Sequence, residues 1–201
     1  MQAHPTVDII PGFAEGSWHT NILLRELEKY GYRKAANSAE ADVIITHSAG
    51  CFFLPNSVEN KQIIMIGPPY WPGRPMIVSA SRKVWGDFST AWQRGKLGFW
   101  GRKLAWNYVY VGANILRVFR IARFASRQNL HEALRDKKVA IIRNDDDAWF
   151  SPDAEQLLPA SETYSHYKLP GEHEDCWVFP EEHAKLIDEI IRKNRIGTES
   201  I

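Results

Sequence analysis

Two things are scarce in this chain, cysteine and long apolar runs. Its 201 residues include two cysteines, Cys51 and Cys176. Two are too few for a disulfide framework, which leads us to expect a reduced setting. No stretch approaches the roughly 18 consecutive apolar residues of a membrane-crossing helix. Met1-Gln2-Ala3-His4-Pro5 leads directly into a strand-like run, without the basic start and apolar core of a secretion signal. These absences together predict a cytoplasmic protein. Net charge is also nearly missing, at +1, so no bulk field selects nucleic acid or an acidic partner. Locally, one sign of charge is absent altogether. No acidic residue lies between Asp87 and Glu132, whereas Arg94, Lys96, Arg102, Lys103, Arg117, Arg120, Arg123 and Arg127 all fall there.

What is present suits one globular domain over residues 1–201. The length allows a real core, and 44% hydrophobic with 24% charged residues is an ordinary soluble composition. Val7-Asp8-Ile9-Ile10 reads as a buried strand followed by the glycine-bearing loop from Pro11 to Gly16. A helix is predicted over 18–30, with Ile22, Leu23, Leu24, Leu27 and Tyr30 roughly on one face and Gly31 as its stop. Residues 32–40 have room for a weak strand and one helical turn. Further strands are predicted at Val43 to Thr46, Gln62 to Ile66 and Lys138 to Arg143. A short helix through Cys51, Phe52 and Phe53 is cut by Pro55. A last helix is predicted over 180–193, with Ala184, Leu186, Ile187, Ile190 and Ile191 as its apolar face. Short apolar strands separated by helices predict an α/β fold with a mostly parallel central sheet and helices on both faces. Residues from about 70 to 129 break the rhythm. They open on the stiff Tyr70-Trp71-Pro72-Gly73-Arg74-Pro75, continue through Trp85, Trp92, Trp100 and Trp106, and include a basic amphipathic run over 115–124. We read them as a helical cap inserted between two sheet strands.

The chemistry begins at Thr46-His47-Ser48-Ala49-Gly50, where an apolar strand stops at a serine among small residues. A nucleophile on a tight strand-to-helix turn needs such neighbours, because bulky ones would clash. A serine hydroxyl needs a base within hydrogen-bond reach, and the base needs an orienting acid. His173, in Leu169-Pro170-Gly171-Glu172-His173, is the candidate base. The acid is sought in Asn144-Asp145-Asp146-Asp147, directly after a predicted strand. Asp147 is preferred, with the choice between Asp147 and Asp146 left open. Backbone N–H groups of Ala49 and Phe13 are the candidate oxyanion donors. His47 is expected to be a packed histidine and not a base. The spacing of Glu172, His173 and Asp175 fits no strong zinc pattern, so no metal site is expected. Cys51 and Cys176 each follow a candidate site residue by three positions, which could bring them together, although buried free thiols are the plainer expectation.

These segments resemble the α/β-hydrolase superfamily over about residues 6–69 and 130–195, the cap excluded. Pro11-Gly12-Phe13 resembles its oxyanion loop, and Ile45-Thr46-His47-Ser48-Ala49-Gly50 its Gly-X-Ser-X-Gly elbow. Asp146-Asp147-Ala148-Trp149-Phe150-Ser151 is similar to the acid loop of its small serine hydrolases, and Leu169-Pro170-Gly171-Glu172-His173 to its histidine loop. Thr46 stands where the elbow usually begins with glycine, and Pro11 where the loop usually has histidine. The early strands of the family look trimmed. The resemblance implies Ser48 as nucleophile, Asp147 as acid and His173 as base in a serine esterase that needs no cofactor. The implied partner is a small-molecule ester, favoured over an amide on the family's usual range.

The cap has three readings. It packs as a lid, it forms an acyl- or aryl-binding pocket with Trp71 and Trp149 as the expected substrate contacts, or it attaches to an anionic lipid surface. No motif in it argues for nucleic acid. The competing function is a catalytically inactive hydrolase fold serving as a binding or membrane-surface module. Oligomeric state is not encoded in any feature of the sequence.

Overall fold

A computed structural model describes residues 5–12, 15–55, 58, 61–68, 137–147 and 164–196, with scattered positions between 89 and 109. The β-branched runs form strands as expected at β1 (Thr6–Ile10), β3 (Val43–His47), β4 (Gln62–Ile66) and β5 (Val139–Asn144), and β2 (Arg33–Lys34) and β6 (Tyr164–Leu169) are two further strands of polar sequence. They make one sheet in the order β2-β1-β3-β4-β5-β6, and every described pairing is parallel. β3 is buried along its whole length. That is why the central strands read as continuous apolar runs and not as an alternation.

Among the described residues, the α-helices pack on one face. α1 (Ser17–Glu28) is followed by a turn in which Gly31 takes a φ of 92°, a left-handed stop that glycine adopts without a Cβ penalty. α2 (Asp175–Val178) is a single turn, and α3 (Pro180–Ile196) opens with proline and two glutamates, favourable choices for a helix start. Leu23 and Leu27 of α1 and Ile187, Ile190 and Ile191 of α3 pack on Val7, Val43, Ile45, Ile64, Ile66 and Ile142. The alternate residues Ile44, Ile63, Met65, Val139 and Ile141 point to the other face, where Cys51 and Val58 join them. Cys51 and Cys176 therefore lie in different layers; both are buried and free.

The sheet locates the site. From β1 the chain steps outward to β2, then crosses back to β3 on the other side of β1. Such a reversal leaves a crevice beyond the carboxyl ends of β1 and β3, the usual ligand position in open parallel sheets. The Pro11-Gly12 loop and Ser48 both sit there.

Two elements differ from the sequence reading. The spacing between Asp147 and His173 leaves room for one short strand, but β6 could not be placed on its residues because it lies at the edge of the described sheet with polar, partly exposed side chains and lacks the apolar run of its neighbours. α2 is too short to show a helical period. The proposed cap over 70–129 lies almost entirely outside the described residues. No helix among the described residues is long and apolar enough to cross a membrane.

Candidate active site

Ser48 sits where β3 gives way to a 3-10 turn (Ser48–Phe53). Its φ is 49°, and it is the one non-glycine with positive φ among the described residues. Such a backbone costs of order 1–3 kcal/mol and is characteristic of functional turns. The packing around it is tight. A Cβ on Gly50 would lie 2.4 Å from the Ile10 carbonyl oxygen, and one on Gly12 would lie 2.8 Å from Ser48 Cβ. Thr46, at the unusual elbow position, is fully buried. Its hydroxyl is buried with no hydrogen-bond partner among the described residues. Ala49 follows Ser48 in the first turn and is half-buried. Phe13, Trp71 and Trp149 lie outside the described residues.

At the ends of β5 and β6, His173 Nδ1–H donates to Asp147 Oδ2 over 2.7 Å, with both side chains almost fully buried. A carboxylate accepts, so the proton belongs on Nδ1 and Nε2 remains the basic nitrogen. Asp145 and Asp146 are exposed. Their backbone N–H groups donate to Leu169 O (2.9 Å) and Gly171 O (3.0 Å), which turns them outward and leaves Asp147 facing the histidine. Asn144 ties the two loops together. Its amide donates to Glu172 O, and its Oδ1 accepts from His183 Nε2 at 3.1 Å. Burial pushes His183 down to about 4, so it is neutral near pH 7. Gly67, after β4, gives the pair its room. A Cβ there would lie 2.9 Å from the His173 ring and 3.0 Å from Asp147 Oδ2.

His47, the residue before Ser48, is wholly buried, and its ring centroid lies 4.7 Å from that of His173. The elbow and the Asp147–His173 pair are therefore neighbours. His47 Nε2 meets the His173 carbonyl oxygen at 3.0 Å, and Nδ1 meets Glu15 Oε1 at 2.8 Å. Glu15 also accepts the Gly12 N–H and, at 3.0 Å, Trp177 Nε1–H. Burial opposes charge on His47, but Cys176 and Glu15 beside it raise its pKa well above the ordinary histidine value. Burial pushes the Cys176 thiol itself up to about 11. With that thiol protonated near neutrality, the acidic neighbours of His47 are the carboxyls of Glu15 and Glu174.

Glu15, His47 and Glu174 cluster closely enough to be considered as metal ligands. The 2.8 Å between His47 Nδ1 and Glu15 Oε1 argues for a shared proton instead. Two ligands of one tetrahedral ion with bonds near 2.1 Å would sit roughly 3.4 Å apart.

No family model matches the chain, and no curated protein matches it in sequence. Solved structures do match in shape. Potato epoxide hydrolase I superposes with a TM-score of 0.58 at 13% identity, covering 94% of this chain and 93% of that one. A thioesterase domain from the curacin biosynthetic pathway gives 0.57 at 13%, covering 92% and 91%. A Mycobacterium tuberculosis protein described as a non-heme bromoperoxidase gives 0.59 at 12%, covering 96% and 93%. The chain has the α/β-hydrolase fold. Within that fold, the sequence reading missed Glu15, Asn144 and Trp177. Asn144 carried a weak signal, as a polar residue closing an apolar strand ahead of the acid loop. Glu15 and Trp177 carried none, because 162 positions separate them along the chain.

Proposed function

We propose that this α/β-hydrolase-fold chain is a serine hydrolase that cleaves carboxylic esters through an acyl-enzyme. The observation that carries the reading is the buried Asp147–His173 hydrogen bond of 2.7 Å beside a serine held at a φ of 49°. In this reading His173 Nε2 takes the proton of Ser48 Oγ as the oxygen attacks the ester carbonyl. The oxyanion is met by the N–H groups of Ala49 and Phe13. His173 then protonates the departing alcohol, water takes its place, and the same histidine directs that water at the acyl-serine. Asp147 keeps the tautomer and stabilises the imidazolium. Trp71 and Trp149 are proposed to contact the acyl or aryl group.

The structural neighbours include epoxide hydrolases and a thioesterase, and the nucleophile separates these chemistries. Opening an epoxide with a serine would leave an ether, which has no carbonyl for water to attack. Opening a carbonyl substrate leaves an ester, which water can cleave. Ser48 therefore favours acyl transfer, with oxygen esters as the proposed class and thioesters handled by the same groups.

The test is hydrolysis of p-nitrophenyl esters from acetate to laurate, with Ser48→Ala alongside. Turnover is expected in the wild type, with a loss of at least about a thousandfold in the variant. Activity that survives Ser48→Ala would end the proposal. Absence of both turnover and fluorophosphonate labelling, together with vesicle binding, would favour the inactive binding module.

A further inference from the structure

Glu15 touches three segments that the proposed reaction needs and uses none of its atoms in the reaction. One carboxylate accepts the Gly12 N–H of the loop after β1, the Nδ1–H of His47 just before Ser48, and the indole N–H of Trp177 in α2. Through His47 it reaches a fourth point, the backbone carbonyl of His173. The acceptors decide the protonation of this chain. A backbone carbonyl can only accept, so His47 Nε2 must carry a proton. The Gly12 and Trp177 N–H groups donate to the two oxygens of Glu15 and hold it ionised, and an ionised carboxylate 2.8 Å from Nδ1 can only accept, so Nδ1 carries a proton too. An imidazole that donates from both nitrogens is a cation.

We propose that Glu15 and His47 form a buried pair, ionised across the neutral pH range, that positions the Gly12 loop, the serine elbow and the His173 loop relative to one another. Both are positioning residues and neither touches substrate. The proposal deepens the esterase reading and rests on it for its kinetic arm. Taking two charges out of water is costly unless every donor and acceptor is satisfied, and here both nitrogens of the imidazolium and both carboxylate oxygens are engaged. The titratable groups around His47 are Glu15, Glu174, Cys176, His173 and His183. Against the cost of burial, Cys176 and Glu15 raise the pKa of His47, and His47 adds a smaller contribution, after burial, to the depression at His183.

The first test requires no turnover. Nitrogen-15 NMR of the His47 ring should show both ring N–H protons retained from about pH 6 to about pH 8, beyond the range where a free histidine titrates. Loss of a ring proton inside that interval would overturn the pair. The second test is Glu15→Gln, which keeps the shape but replaces one acceptor oxygen with an NH₂ donor. Displacing reacting groups by a fraction of an ångström to 1 Å costs up to about a hundredfold. We therefore expect kcat per fluorophosphonate-titrated serine to fall about 10- to 100-fold with KM held within about twofold. A fall in melting temperature and in labelled sites, with kcat per labelled site unchanged, would reduce Glu15 to a structural residue and overturn the proposal. If the wild type shows no serine-dependent turnover, the esterase reading fails and the ring-proton measurement alone decides the pair.

Discussion

Three adjacent aspartates end up in two different environments, and the backbone sorts them. Asp145 and Asp146 use their N–H groups to bind the β6 loop, which directs their side chains to solvent. Asp147 is buried against His173. Replacing Asp147 with asparagine would present an amide to Nδ1 and favour the tautomer with the proton on Nε2, which cannot serve as base. Turnover of Asp147→Asn on a p-nitrophenyl ester should fall on the order of 10⁴-fold. Asp146→Asn should stay within about twofold, as expected for an exposed side chain with no part in the pair. Parallel kinetics of the two variants check this, and reversed effects would transfer the acid role to Asp146.

Among the elements, the serine turn is the most constrained. Its second residue beyond Ser48 lies almost against the carbonyls at the end of β1, where a Cβ would be 2.4 Å from the Ile10 oxygen and 2.8 Å from that of Pro11. Gly50→Ala must therefore push β1 and the turn apart. A loss of about 1–3 kcal/mol is expected from overpacking, read as a lowered urea midpoint, with activity lost alongside. The same tightness made the turn legible in the sequence, since only small residues fit after such a strand. β3, β4 and β5 were legible for a related reason. Burial on both faces leaves each of them a run of β-branched residues that few other elements produce. β6 was not, because an edge strand has one neighbour and can carry polar residues. The choice of Asp147 over Asp146 was legible only as a preference. It depends on hydrogen bonds between two loops that the sequence separates by more than twenty positions, and the role of Glu15 depends on contacts with segments up to 162 positions away.

Across the whole molecule, two buried histidines bend the pH dependence of stability in opposite directions. His183 is depressed to about 4 in the folded state, against about 6.5 unfolded. Between those values the unfolded chain binds the extra proton, so stability is full above about 6.5 and falls as pH drops toward 4, by about 3 kcal/mol in all. His47 is raised, so its contribution is full below about 6.5 and declines as pH rises through its folded value. His183→Gln, which can still donate to Asn144, should remove most of the acid-side loss. Urea unfolding of wild type and variant at neutral pH and near the lower limit measures it, and an equal loss in both would exclude His183 as the cause. The order of the strands has a different consequence. Ser48 and its turn belong to the first third of the chain, whereas Asp147, His173 and the α3 residues that cover Leu23 and Leu27 come from the last third. A ribosome making this protein completes Ser48 long before Asp147 and His173. In the proposed reading the nascent chain therefore carries a nucleophile without its base, and competence waits for the last third of the chain.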